Sequence, residues 1–468
     1  MIDYRYVHLF GRDSVHKDLV ITDGTVTVAD GELSIANETY VFRNSDIEGE
    51  NFGISKALTT TDELEFGSAI ASECKFRVHG YLDTALKGKQ CNVYMYLDND
   101  VNTLLQLGVY FVVSDELTAN RSGRNIIADD VIYLMHITDI TEEVNRVWTH
   151  KTCRNILLEV ASKFGINISG IDNLVNGDFY PIGYAPTGKT VTVGMILRYV
   201  CQLNGVFPIV TNDGNLKIIE LEKDIKTALY PQISLFPSSD LYPSGSREIL
   251  RYTYEPRNLH YDNYEVQGIT QLTIYNNVKE DGYTYGEMGN RYSVNGNFLT
   301  DYTQQWDTYG ANLLSAISDI EYRPIDVVFR GSYLFEPGDD LMLQTERDDV
   351  YTYAMQIEST GIQSIRTRII AKGKEIRDVG VDNVNLAFDR YNTRINIISS
   401  GLSSLGGEQV TLRQYVDAQD SSLNSSIVAL GNVLANDYYD KVTIGILWST
   451  LQDQLTALDD RVKALEGR

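Results

Sequence analysis

The residue string that most suggests chemistry is Gly183-Tyr184-Ala185-Pro186-Thr187-Gly188-Lys189-Thr190, which fits the phosphate-loop spacing GxxxxGK[ST]. Such a loop wraps phosphates in backbone N–H groups, and needs a buried strand before it and a helix N-terminus after it. Residues 178–182 are short and polar, and Pro181 would spoil a central strand. No acidic strand follows that could hold magnesium, because residues 207–211 lead into a turn. Gly183, Gly188, Lys189 and Thr190 are therefore read as a decoy, a turn and helix start with Thr190 as cap. Residues 98–102 open like a calcium loop, but Thr103 stands where glycine belongs and Val109 where the distal Glu belongs. Cys74, Cys91, Cys153 and Cys201 never form CxxC and read as buried reduced thiols; His150 with Cys153 is half a zinc site. Cys201 falls on a helical apolar stripe and His260 in a strand-like region, so they do not make a nucleophile pair. HExxH and GxSxG are absent, and no carboxylate spacing selects a glycosidase pair. The expectation is a non-enzymatic chain with no metal and no cofactor.

The elements that would hold any site come next. A chain of 468 residues with 43% hydrophobic and 22% charged content can bury several cores, which suggests about two to four domains. Mean hydropathy is −0.20, and no apolar run reaches the roughly 18 residues that span a bilayer. The N-terminus carries no basic stretch leading into an apolar run, so synthesis in the cytosol is expected. A net charge of −24 argues against dedicated nucleic-acid binding, since affinity for phosphates comes from Lys and Arg. An acidic wall still lets DNA slide past.

Residues 1–148 read as short alternating strands, with Asp30-Gly31 as a hairpin turn. Residues 149–229 read as a small α/β insertion, with helices near 153–164 and 191–203 and a hairpin turning at Asn212-Asp213-Gly214-Asn215. Residues 230–320 are dense in Tyr, Asn and Gly, and include a helix at 306–317. Half-buried strands and subunit contacts are one reading of the tyrosines; a glycan-stacking surface is the other. Residues 321–375 form a second β domain and 376–410 a Ser/Gly-rich linker.

Residues 411–468 carry a heptad. Val416, Leu423, Leu430, Ile444, Leu451, Leu458 and Leu465 form one core series; Ile427, Leu434, Trp448, Leu455 and Val462 form the other. The rod would be about 75 Å long at ~1.5 Å per residue, with a break near residues 436–443, where Asp437 and Lys441 interrupt the apolar positions. A helix with such a stripe implies self-association, or else packing back on its own body.

Residues 44–47, 52–54 and 63–68, leading into Cys74-Lys75-Phe76, resemble the start of tail hub proteins of phages and prophages from Gram-positive hosts. Leu107-Gly108-Val109-Tyr110-Phe111, Ala128-Asp129-Asp130, residues 190–199, Asp213-Gly214-Asn215-Leu216, Pro337-Gly338-Asp339 and Ile370-Ala371-Lys372-Gly373 follow in that family's order. Separately, residues 438–444 resemble a tail-fibre repeat in which Tyr-Tyr-x-Lys introduces a trimeric helix. The fold implied is mainly β with the small α/β insertion, two antiparallel β-barrel hub domains and a C-terminal trimeric coiled coil. The function implied is a homotrimeric hub of a tail tip or baseplate that joins a sixfold tail tube to threefold tip or fibre components. It would line the DNA exit channel, meet distal-tail or tail-tube hexamers and a tape-measure protein, and reside in the virion. Family members often end in a peptidoglycan hydrolase or receptor-binding module. Neither follows the heptad here, which favours an adaptor over the alternatives of a glycan- or receptor-binding tip protein or a peptidoglycan-degrading enzyme.

Overall fold

Side-chain alternation builds most of this chain. In residues 73–79, Cys74, Phe76 and Val78 are buried while Lys75 and His79 are exposed, the two-residue period of a half-buried strand. The computed structural model describes residues 14–79, 85–118, 123–144, 148, 151–183, 189–223, 225, 254–276, 281–301, 306–331, 333–345, 347–376 and 448–457. The chain forms two units, Met1–Asp378 and Val379–Arg468.

The first unit begins with β1 (Lys17–Thr22), β2 (Thr25–Ala29), β3 (Glu32–Ala36), β4 (Val41–Arg43), β5 (Gly53–Ala57), β6 (Glu73–His79), β7 (Gln90–Leu97), β8 (Asp100–Leu117) and β9 (Gly123–Asp129). Asp98 and Asn99 join β7 to β8 with φ of 48° and 60°, so the stretch that opens like a calcium loop is a two-residue hairpin turn. Next come helix α1 (Val131–Ile137), helix α2 (Cys153–Lys163), β10 (Ile168–Ser169), helix α3 (Val193–Gln202), β11 (Phe207–Val210) and β12 (Leu216–Ile219). A Tyr-rich stretch supplies β13 (Tyr254–Tyr261), β14 (Gln271–Asn276), β15 (Asp281–Gly286), β16 (Arg291–Val294) and helix α4 (Trp306–Ile317). The last strands are β17 (Ile325–Arg330), β18 (Asp340–Gln344), β19 (Asp349–Tyr353), β20 (Gln356–Thr360) and β21 (Arg366–Ala371).

Eleven of these strands make one sheet in the order β13-β17-β21-β20-β5-β6-β9-β8-β7-β1-β4. Fourth and fifth in that order are β20 and β5, which pair antiparallel with Ser55 opposite Glu358. The early and late β regions therefore share one sheet, and the described strands close no barrel. The early half curls, however, and a single bridge, Ile47 to Val78, spans the opening between the chain after β4 and β6. Inside the curl lie Ile21, Phe42, Phe52, Phe76, Val93 and Tyr110, all buried. A second core gathers α1 to α4, the β10-β12-β11 and β15-β14-β16 sheets and the β17–β21 region. Phe66 sits within it, against Phe207 at 5.4 Å and edge-on to Tyr292 at 5.3 Å between ring centroids. Among the described residues no helix is long and apolar enough to cross a membrane.

In the second unit, residues 448–457 are helical. Leu451 and Leu455 are half-buried and Trp448 is 45% exposed, so its apolar stripe is largely uncovered. Val416, Leu423, Ile427, Leu430, Leu434, Ile444, Leu458, Val462 and Leu465 lie outside the described residues.

Candidate functional site

A group of charged side chains gathers around buried Lys56, where the β11–β12 hairpin docks on the eleven-stranded sheet. Ile54, Lys56 and Leu58 are successive buried positions along β5 and its extension, so Lys56 projects into the core in an apolar phase. Its Nζ donates to Asn212 Oδ1 at 2.8 Å. Asn212 belongs to the turn between β11 and β12, where Thr211 and Asn215 both donate to the Asp213 carboxylate. Two contacts fix this hairpin further. Lys217 on β12 pairs with Glu336 at 3.1 Å. Gly338 (φ +92°) lies so close to Ile219 that a Cβ there would stand 2.6 Å from its Cδ1.

The residues 336–339 turn is closed by the Asp339 side chain and tied to Ala354. Glu336 N donates to Asp339 Oδ2 at 2.8 Å, and Ala354 N donates to the Asp339 carbonyl at 2.8 Å. Asp130, the N-cap of α1, accepts from Ile132 N at 2.9 Å and Ser72 N at 2.8 Å. Burial pulls the Lys56 ammonium below the usual lysine range, opposed by the charges of Glu336, Asp130 and Asp339. Burial likewise pushes the Asp339 carboxyl up to about 6 and that of Asp130 up to about 7, the latter against its two backbone hydrogen bonds. Sequence reasoning missed this group. Its signal was a lysine standing in the apolar phase of a strand.

The residues that sequence reasoning singled out fall elsewhere. Gly183 packs on the backbone of Phe298, whose carbonyl oxygen would be 1.9 Å from an added Cβ. Residues 179–183 form no strand, and Lys189 and Thr190 are exposed. Gly188 lies outside the described residues. Helix α3 begins at Val193, and its cap is Thr192, whose side chain accepts from Met195 N, so the cap is two residues beyond Thr190. The difference is physical: Val191 is buried in the core and holds the chain extended past Thr190 before the helix starts. All four cysteines are free and buried. Burial pushes the Cys153 thiol up to about 12 and raises Cys201 further. His260 is exposed on β13 at the edge of the eleven-stranded sheet, whereas Cys201 is buried on α3. No cluster of metal-ligating side chains occurs among the described residues. In the Tyr-rich part, Arg291 caps one side of the Tyr275 ring at 5.8 Å and donates to its hydroxyl at 2.7 Å. Gly282 lies against the same ring, with an added Cβ 3.1 Å from it, so Tyr275 is held in place by its own sheet.

No protein-family model matches this chain, and no curated protein matches it. Among solved structures, it is similar to the prophage MuSo2 tail protein of Shewanella oneidensis at 12% identity and TM-score 0.43, over 77% of this chain and 100% of that one. A tail protein of Neisseria meningitidis is 12% identical with TM-score 0.41, over 77% of this chain and 98% of that one. The prophage tail protein gp18 of Listeria monocytogenes is 11% identical with TM-score 0.39, over 76% and 95%. Two of the three are described as prophage tail proteins and the third as a tail protein.

Proposed function

We propose that this chain is a structural component of a phage-like tail, a trimeric hub at the tail tip or baseplate. The observation that carries the reading is the β5–β20 pairing. It brings the early and late segments that resemble the hub family into one continuous sheet, as a rigid ring wall requires. The heptad of residues 411–468 supplies the threefold element: a helix with Leu451 and Leu455 on a mostly open stripe gains by meeting copies of itself. In this reading the two β regions form the paired hub domains, 1–148 and 321–375, and the 149–229 and 230–320 parts buttress them. The trimer joins sixfold tail-tube or distal-tail rings to threefold tip or fibre proteins. DNA passes its acidic wall without specific binding, with the tape-measure protein as a further neighbour. The protein is made in the bacterial cytoplasm and ends in the virion.

Light scattering on the full chain tests this. The expected mass is threefold that of the monomer, and removal of residues 411–468 lowers it towards one. A stable monomer at micromolar concentration sinks the proposal. An image of the assembled particle with this chain labelled then locates it at the tip or elsewhere.

A further inference from the structure

The sequence contains three Asn-Gly pairs, at 176–177, 204–205 and 295–296. An asparagine before glycine is prone to react with its own backbone. No Cβ shields the glycine nitrogen from the side-chain amide one residue back, and the glycine turns freely. The fold treats the three pairs differently. Asn176 is 4% exposed, and its Nδ2 donates to the carbonyls of Leu203 at 3.0 Å and Tyr309 at 3.3 Å. Gly177 N donates to the Leu174 carbonyl at 3.0 Å. Asn204 is 1% exposed; its Nδ2 donates to the Val200 carbonyl at 2.8 Å and its Oδ1 accepts from Asn176 N at 2.9 Å. Gly205 N donates to the Gln202 carbonyl at 3.3 Å. In both pairs the amide is clamped and the nitrogen that would attack it is occupied. Asn295 and Gly296 instead form the bend between β16 and the turn at residues 298–300. Asn295 is half-buried and Gly296 exposed. Gly296 has a φ of +66°, and a Cβ added there would meet nothing within 4 Å. Among the described residues no hydrogen bond holds the Asn295 side-chain amide or the Gly296 N–H.

We propose that Asn295 is a modification site, converted through attack by Gly296 N into a mixture of isoaspartate and aspartate in the folded protein, while Asn176 and Asn204 stay intact. Hydroxide from solvent takes the Gly296 amide proton. The nitrogen attacks Cγ of Asn295, the Cγ–Nδ2 bond breaks, and Nδ2 leaves as ammonia with a proton returned by water. Water then opens the five-membered imide. Attack at the main-chain carbonyl carbon leaves the glycine joined through Cγ, which is isoaspartate; attack at Cγ gives ordinary aspartate. The balance is amide plus water to carboxylate plus ammonium ion, with nothing oxidised or reduced. Nucleophile and electrophile are neighbours on one chain, so the entropy of encounter is removed beforehand. The position matters to the fold. Two residues on, Asn297 donates to the Tyr199 carbonyl and to Gln202 Oε1, both at 3.1 Å, and ties this bend to α3. Isoaspartate inserts an extra methylene into the main chain just before that tie, and either product adds negative charge to a chain already at −24.

Peptide mapping of the folded full-length protein, held for days in mildly alkaline buffer, tests this. The tryptic peptide that begins at Tyr292 should gain the mass of amide-to-acid conversion at Asn295 and become a substrate for isoaspartate methyltransferase. Asn295 should react at least about tenfold faster than Asn176 or Asn204, whose reaction waits on local opening of the fold. In guanidinium chloride the three should react at similar rates, since only the fold tells them apart. Asn295→Gln, whose longer side chain closes the ring poorly, should remove the fast conversion. Asn295 reacting as slowly as the two buried asparagines in the folded protein overturns the proposal. So does Asn176 or Asn204 reacting as fast as Asn295. Aspartate formed with no isoaspartate overturns the route through Gly296 N.

Discussion

Gly67 shows how much one backbone position can decide. Its φ of +81° lies in the left-handed region, and a Cβ there would stand 2.5 Å from both the Arg198 carbonyl oxygen and the Gln202 nitrogen. The close approach lets α3 lie directly on the segment that carries Phe66, and Gly67 N donates to the Val206 carbonyl at 2.9 Å. Gly88 shares the conformation, at φ +80°, but has open space around it. Gly88→Ala should therefore cost only the left-handed penalty, about 1–2 kcal/mol. Gly67→Ala should cost that plus displacement of a helix, roughly 3 kcal/mol or more. Paired denaturant titrations check this; equal losses would show that the helix yields freely. The sequence marks both positions alike as glycines beside a polar residue, so the distinction was not legible there. It comes from a helix more than a hundred residues further along the chain.

Among the elements, those with a strong local signal were readable and those set by distant partners were not. The α2 helix, the β11–β12 hairpin and α4 stand within a few residues of where periodicity and turn residues put them. Helix α1 escaped notice because seven residues give too few turns for a period, and its start is fixed by Asp130 bonding Ser72, far away in sequence. The 18-residue β8 was not legible at its full length, since its outer ends are half-exposed and lack a clean apolar phase. The junction around Lys56 was invisible for the same reason: Asn212 and Glu336 arrive from separate hairpins. Helix α3 offers a direct test of its boundary. Thr192→Ala removes the side chain that accepts from Met195 N and should cost about 1 kcal/mol, whereas exposed Thr190→Ala should cost little. Thermal unfolding of the two variants separates them, and a larger loss at Thr190 would move the cap back.

At the scale of the whole molecule, charge and topology dominate. The chain carries a net charge of −24, and burial raises Asp129 to about 6, Asp130 to about 7 and Asp339 to about 6. For an acid raised on folding, the folded state binds more protons than the unfolded chain across the intervening range. That stabilisation is complete below the unfolded value of about 4 and is lost as pH rises through about 6 to 7. Asp23, Asp139, Asp213 and Asp326 are lowered and lose their contribution only below the usual carboxylate range. Lys56, lowered by burial, acts in the opposite sense. Three acids and relief of self-repulsion outweigh one lysine, so the melting temperature should be higher at about pH 5 than at about pH 7.5. Calorimetry across that range checks the sign, and a fall on acidification would contradict it. The sheet order carries a consequence of another kind. Strand β5 finds its neighbour β20 only after about 300 further residues have been translated, roughly 15–60 s at bacterial ribosome speeds. Throughout that interval the nascent chain offers a bare, hydrogen-bond-hungry strand edge to every other polysome product, so production of this protein should lean heavily on chaperones that shield unfinished sheets.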